Sequence, residues 1–365
     1  MSVIVPARNE EACLGACLES LVAQADVSFE IIVVDDGSTD RTREIAQCFL
    51  AVRVVDPGPL PPAWSGKNNA LVAGAYDARG TWLLFTDADT VHSAGSLGRS
   101  VAEARRRGVA MLSYSPEQEV HGFWEKAVMP VIFAELATTY RPSDVSDPAS
   151  SAAAANGQYI LVSREAYDAV GGHAAVATSL LEDVALARAL KVSGRRIFFR
   201  YGGDAVRTRM YRSFAQLREG WIKNLVLLFR SPVRLAVLRL TEFVLIVGSV
   251  TVAIVMSLQG RMRMSIAVGM VAIILAALLL KRIRKAHFSW DADVLALIGL
   301  PVFSYLLLRS RATYRKGTIV WKGRQYSRNS NAAPSDEVPA DEVRARRLHE
   351  SRQDAGAASS HATST

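Results

Sequence analysis

The sequence predicts an α/β chain, a doubly wound sheet followed by a helical transmembrane region. Three observations carry that expectation. Short, β-branched apolar runs alternate with stretches of helical periodicity through residues 1–230. Two of those runs end in acidic clusters. Between 236 and 308 the charges withdraw and long apolar runs take over.

The elements follow in order. Residues 3–5 form a short apolar run, and 10–23 carry Cys13, Leu14, Cys17, Leu18 and Leu21 at helical spacing. Residues 29–34 are almost uninterruptedly apolar and stop at Asp35, the pattern of a strand buried on both faces of a parallel sheet. A turn at Asp36-Gly37 leads to a helix over 39–49, capped by Ser38 or Thr39. A strand over 52–55, a helix over 67–78 and a second buried strand over 82–86 complete a βαβα rhythm. In such sheets ligands bind beyond the carboxyl ends of the strands, where both acidic clusters fall. Further strands are expected at 109–115, 158–162 and 196–201, and further helices at 123–139, 164–170 and 182–192. Residues 142–157, rich in Ser, Ala, Asp and Pro, read as a loop mobile over the site. An amphipathic helix over 214–229, with Trp221 near its middle, is expected to lie along a membrane surface.

Three apolar runs come next, at 240–258, 264–280 and 294–308. The first two approach the roughly 20 residues that cross hydrocarbon. The third is shorter and is interrupted by Gly299-Leu300-Pro301, which predicts a bent or re-entrant segment. The expected organisation is therefore a catalytic domain over 1–230, a membrane region over 236–308, a basic interfacial segment over 309–326 and an unstructured tail over 327–365.

The net charge of +8 suits an anionic partner, and its placement favours lipid over nucleic acid. Arg230, Arg234 and Arg239 precede the first apolar run, and Lys281, Arg282, Arg284 and Lys285 follow the second, where cations mark the cytoplasmic side. Aromatic residues interleaved with basic ones on a strand, as a single-strand binder would use, are not evident in the first half of the chain. The cysteines Cys13, Cys17 and Cys48 give neither a disulfide framework nor a metal grouping, and read as small core residues in a reducing compartment. Met1 runs directly into the first strand without a secretory leader, and so abrupt a start also fits a chain that begins further upstream.

Asp87-Ala88-Asp89 closes the strand at 82–86. Two carboxylates two apart at a strand end can aim at one hard divalent cation and the diphosphate it chelates, although alone such a pair also serves as a cap or solvated loop. At the other strand end stands Asp35-Asp36-Gly37-Ser38-Thr39-Asp40, whose turn and cap account for Gly37 and Ser38 but not for two adjacent acids.

Val3-Ile4-Val5-Pro6-Ala7-Arg8-Asn9-Glu10 followed by Val33-Val34-Asp35-Asp36-Gly37-Ser38-Thr39-Asp40 resembles the opening of family 2 inverting glycosyltransferases, which have the GT-A fold. Gly66-Lys67-Asn68-Asn69-Ala70-Leu71, Asp87-Ala88-Asp89 and Glu182-Asp183 continue the resemblance in order and spacing across residues 3–183. The resemblance implies that Pro6, Glu10 and Asp36 contact the nucleoside and that Lys67 lies near the diphosphate. It implies that Asp87 and Asp89 hold Mn²⁺ or Mg²⁺ with that diphosphate, and that Asp183, with Glu182 beside it, is the general base. Acids at the start of a helix also suit the helix dipole. Many membrane members carry an Arg before the interfacial Trp; here Gly220 precedes Trp221. The stretch Trp321-Lys322-Gly323-Arg324-Gln325-Tyr326 resembles the end of carotenoid, hopanoid-associated and ceramide-type members, which makes Trp221, Trp321, Lys322 and Arg324 candidate acceptor or interface residues. The function implied is transfer of one hexose from a UDP-sugar to a lipid or membrane-embedded acceptor at the cytoplasmic face of the cell membrane, without nucleic acid. The alternatives are a processive polysaccharide synthase and an inactive membrane scaffold.

Overall fold

A computed structural model describes residues 1–321 and 324–327, with side chains as far as residue 317. Lys322 and the tail from 328 lie outside the described residues. Trp321 and Arg324 are described in backbone only, facing each other across a small antiparallel hairpin.

The chain opens with β1 (Ser2–Ala7), α1 (Leu14–Val22), β2 (Glu30–Asp35), α2 (Thr42–Gln47), β3 (Val52–Val55), α3 (Gly66–Asp77) and β4 (Trp82–Phe85). After β5 (Thr90–His92) come α4 (Ser96–Arg107), β6 (Met111–Ser115), β7 (Glu117–Gln118), α5 (Phe123–Thr139) and α6 (Pro142–Ser146). Then follow β8 (Ile160–Ser163), α7 (Arg164–Ala169), α8 (Glu182–Val192), β9 (Ile197–Tyr201), β10 (Val206–Thr208) and α9 (Phe214–Leu228). The main sheet has seven strands in the order β3-β2-β1-β4-β8-β6-β9. Only β8 runs against its neighbours, so the sheet is mixed where the sequence rhythm predicts a parallel one. Its other neighbours pair parallel, β1 matching Ser2–Ala7 against Glu30–Asp35. Both faces are covered, by α1, α2 and α4 on one side and α3, α7 and α8 on the other, which is why β1 and β2 read as unbroken apolar runs.

Helix α4 is absent from the expected elements because its last turn, Arg105-Arg106-Arg107, masks an amphipathic period. Residues 142–157, expected as one loop, are not loop throughout. They begin with α6, and Ala153, Ala154 and Ala155 are buried under the sheet, small enough to fit tightly there. Of the cysteines read as core residues only Cys17 is buried, while Cys48 is exposed.

Three long helices follow, α10 (Pro232–Leu258), α11 (Met262–Ile283) and α12 (Trp290–Lys316), and the hairpin strands β11 (Thr318–Trp321) and β12 (Arg324–Ser327) end the described chain. By length and composition all three helices are apolar enough to cross a membrane. They differ in burial. Helices α10 and α11 pack on each other and present Val244, Val250, Ile254, Ile266, Ile273 and other apolar side chains outward, whereas half of the apolar stretch of α12 is buried.

The helix is not interrupted at Gly299-Pro301: α12 is one helix of 27 residues with Pro301 inside it. Pro301 removes one backbone donor, but Leu300 and Phe303 are fully buried on either side of it, and that packing holds the helix continuous. Gly299 lies against the carbonyl of Ala127 on α5, so close that a Cβ there would sit 1.9 Å from the oxygen. Both ends of α12 are fastened to the catalytic unit. Asp291 pairs with Lys126 at 2.7 Å, and Tyr314 donates its hydroxyl to the Lys223 carbonyl of α9 at 2.7 Å. The cations flanking the apolar runs also divide in two. Arg239 and Arg282 turn inward and pair with Glu135 of α5 and Glu242 of α10 at the root of the α10–α11 hairpin, while Arg230, Arg284 and Lys285 remain exposed.

Candidate active site

The carboxyl ends of β1, β2 and β4 open into one cavity of about 840 Å³, walled by α5, α8, α9 and the residues after α11. Pro6, Glu10, Asp36, Lys67, Asp87, Asp89, Glu182, Asp183 and Trp221 all line it. These residues are separated by as much as 215 positions in sequence and converge because each sits at a strand end or helix start facing the same cleft.

The two adjacent acids after β2 have different surroundings. Asp35 accepts the Ser38 backbone N–H at 3.1 Å and pairs with Arg43, so it holds the turn. Asp36 lines the cavity, and the Arg8 guanidinium donates to its carbonyl oxygen at 2.8 Å. That bond fixes the end of β1 to the end of β2 beside Pro6.

At the start of α3, Ser65 caps the helix by accepting from Asn68 N–H, which sets the direction of the Lys67 side chain. Its ammonium lies 2.8 Å from Asp87 and 2.8 Å from Glu182, linking β4 to α8. Burial alone would lower the Lys67 pKa, but the two carboxylates outweigh it and hold it well above its ordinary value. The same pairing overcomes desolvation at Glu182 and holds that acid below its usual range. Asp183 feels the Lys67 charge through space, without a direct ion pair, and two larger effects outweigh it. Loss of water and the Glu182 charge push its pKa up to about 6. Its carboxylate accepts N–H bonds from Gly157 at 3.0 Å and Val184 at 2.8 Å, which orient it.

Sequence reasoning missed Gly157. A Cβ there would lie 3.0 Å from the Lys67 ammonium and 3.6 Å from Asp183, so the backbone approaches the acids only because the side chain is absent. The Asn156-Gly157 turn is its one local signal. Behind the acids, Thr86 donates to Gln158 O at 2.8 Å and Thr90 to Asp87 O at 2.7 Å, bracing the loop that carries Asp87 and Asp89. His92 and His173 are buried in this layer and stay neutral, burial lowering them to about 3 and about 4. His121 lies far out on the surface side, beside Glu119.

Trp221 is not a lipid-facing aromatic. It is buried, its indole N–H directed at the Met129 sulfur at 3.3 Å and its ring edge-on to Phe133. Gly220 before it touches Tyr211, whose hydroxyl would be 2.4 Å from an added Cβ, so the Arg of related membrane proteins has no room here. Phe133, Leu136, Tyr140, Phe199, Met210 and Leu228 add apolar and aromatic lining, and Arg209, Arg212, Glu219 and Lys223 add charged groups beside them.

Residues 2–171 match the family described as Glycosyl transferase family 2. The chain carries a family 2 glycosyltransferase domain. Over 342 residues, 90% of this chain and 88% of the relative, the glycosyltransferase is 29% identical to a 4,4'-diaponeurosporenoate glycosyltransferase of Staphylococcus aureus. Among solved structures it is similar to a mannosyltransferase from Pyrobaculum calidifontis in complex with GDP-Man and Mn²⁺, at 19% identity, 86% of each chain and a TM-score of 0.48. It is also similar to glucosyl-3-phosphoglycerate synthase from Mycobacterium tuberculosis in complex with Mn²⁺ and UDP-glucose, at 22% identity, 59% of this chain, 73% of the other and a TM-score of 0.38. The fold is thus a GT-A-like mixed α/β sheet with three C-terminal apolar helices, and the protein is a glycosyltransferase.

Proposed function

We propose that this enzyme transfers one hexose from a UDP-sugar to the hydroxyl or carboxylate end of a lipid at the membrane surface. One observation carries the reading. The cavity that gathers Asp36, Lys67, Asp87, Asp89 and Asp183 also has an apolar arm of side chains in its lining, Phe133, Leu136, Tyr140, Phe199, Met210 and Leu228, and at Lys285, Ala286 and His287 it reaches the root of two helices with outward-facing apolar side chains. A polar donor and an apolar acceptor can therefore meet in one space. The relative named for 4,4'-diaponeurosporenoate, a carboxylate, is in keeping with an acceptor of this kind.

In this reading Pro6, Glu10 and Asp36 receive the nucleoside. Asp87 and Asp89 would hold Mn²⁺ or Mg²⁺, which when bound neutralises charge on the diphosphate. The donors fit such an ion, being carboxylate oxygens, and the Lys67 ammonium now paired with one Asp87 oxygen would have to share that carboxylate with it. No group of three metal-ligating side chains exists among the described residues, which suits an ion that takes its other ligands from phosphate. Asp183 accepts the acceptor's proton as its oxygen bonds to the anomeric carbon and the bond from that carbon to the diphosphate breaks with inversion. UDP leaves with the electron pair. Trp221, buried beside Phe133, shapes the apolar arm.

The membrane anchor in this reading is the α10–α11 hairpin alone. Helix α12, fastened at both ends to the catalytic unit, lies along that unit and returns residues 317–321 and 324–327 to its side. The cytoplasmic supply of UDP-sugars then places the catalytic domain inside the cell, with exposed Arg230, Arg284 and Lys285 beside the inner leaflet.

The test uses purified full-length protein in lipid nanodiscs, radiolabelled UDP-glucose or UDP-galactose, and a membrane lipid extract. Label is expected in the organic phase as a product bearing a single sugar, and excess EDTA is expected to abolish it. Label accumulating in a water-soluble polymer would establish the processive reading instead, and no transfer from any donor would leave the inactive scaffold.

A further inference from the structure

Residues 284–287 join the membrane hairpin to α12, and none of them stands out in the sequence as part of a site. The fold nevertheless brings Lys285, Ala286 and His287 to the edge of the cavity that holds Asp183. His287 is exposed, and its ring stacks on Tyr201 of β9 with centroids 4.1 Å apart and planes at 13°. Next in the chain, Phe288 meets Phe133 of the apolar wall edge-on at 5.9 Å.

Two features set this pair apart from ordinary surface packing. The His287 backbone has φ +60°, the left-handed region that a non-glycine residue occupies at a cost. That conformation turns the chain after α11 so that the ring faces β9. The pair also stands where the two halves of the molecule meet. Its one side continues into α11, whose apolar side chains face outward; its other side belongs to β9, whose Phe199 and Tyr201 line the cavity. A long apolar molecule moving from a bilayer toward Asp183 by way of the hairpin root passes this rim.

We propose that the stacked His287–Tyr201 pair is the acceptor's positioning platform, a flat surface at the cavity rim against which the apolar chain of the lipid lies while its reactive end reaches Asp183. This rests on the lipid-acceptor reading above. Aromatic faces suit the task because they offer a large contact area with little side-chain entropy to lose. Such a platform bears on acceptor affinity and leaves donor handling alone.

The test separates those two quantities. His287→Gly removes the ring while keeping, and relaxing, the left-handed backbone, so folding is preserved. His287→Tyr restores a ring. With the lipid acceptor varied at saturating UDP-sugar, His287→Gly is expected to raise the acceptor KM by roughly three- to tenfold, the scale of one aromatic contact. Its KM for the donor, and its slow UDP-sugar hydrolysis without acceptor, are expected to stay at wild-type values, and His287→Tyr to recover most of the acceptor affinity. An unchanged acceptor KM in His287→Gly would overturn the platform, as would a parallel fall in acceptor-free hydrolysis, which would mark a purely structural role. Wild-type protein that hydrolyses the donor yet forms no lipid product would overturn the underlying reading, and the platform with it.

Discussion

Asp183 differs from Glu182 by one position and by one direct ion pair. Lys67 pairs with Glu182 and Asp87, whereas on Asp183 its charge acts only through space and is outweighed by burial and by the negative charge of Glu182. A carboxyl held at about 6 is protonated as pH falls through that value and then accepts no proton. Turnover on a lipid alcohol is therefore expected to fall below about pH 6 and to level off above it, in an initial-rate profile at saturating substrates. Asp183→Asn, nearly isosteric, is expected to lower that turnover by roughly 10²-fold or more and to abolish the acid limb. A lipid carboxylic acid offers a sharper comparison. Already ionised at neutral pH, it has no proton to give up, so Asp183→Asn is expected to spare transfer to the acid while crippling transfer to the matched alcohol. Equal losses on both would show that Asp183 shapes the site rather than taking a proton.

At the scale of elements, the contact between α12 and α5 decides how the apolar region is arranged. Gly299 allows the two backbones to touch at Ala127, and an added methyl would have no space without the helices parting. Gly299→Ala is expected to destabilise the protein by about 1–3 kcal/mol, the usual cost of overpacking, seen as a lower Tm in detergent. Gly248 in α10 is the control, since nothing lies within 4 Å of its would-be Cβ. Gly248→Ala is expected to be neutral or stabilising by up to about 1 kcal/mol. If both alanines behaved alike, the close packing of α12 on α5 would not hold in the folded protein. Gly220 follows the same logic on α9, where Tyr211 occupies the volume that an Arg would need.

For the whole molecule the open choice is which helices cross. The reading above has α10 and α11 cross as a hairpin and α12 remain on the catalytic side. Cysteines at Gln259, exposed at the hairpin tip, and at Lys316, exposed at the end of α12, report the two sides in a background lacking Cys13, Cys17 and Cys48. An impermeant maleimide on intact cells is expected to label position 259, and position 316 only after lysis. External labelling at 316 would make α12 a third span and would take Trp321 and Arg324 away from the donor side. Ser310 is unsuitable as a reporter, being buried with its hydroxyl bonded to Ile222 and Val226 of α9.

What the sequence determined by itself is local. Apolar runs with β-branched residues marked β1, β2 and β4, acids at their ends marked the cleft, and helical periods marked α1, α3, α5 and α8, because each signal lies within a few residues of the element it specifies. The three apolar helices were legible for the same reason. Tertiary structure decided everything that depends on which distant groups share a space. It set Lys67 between Asp87 and Glu182 and so left Asp183 as the group near pH 6, and turned Arg239 and Arg282 inward to Glu135 and Glu242. It also kept α12 continuous across Pro301, buried Trp221, and carried His287 from a linker with no local signal to the cavity rim. Period and propensity are properties of neighbours in the chain. Burial, pairing and close approach are fixed by neighbours in space, which here lie as far apart as residues 6 and 287.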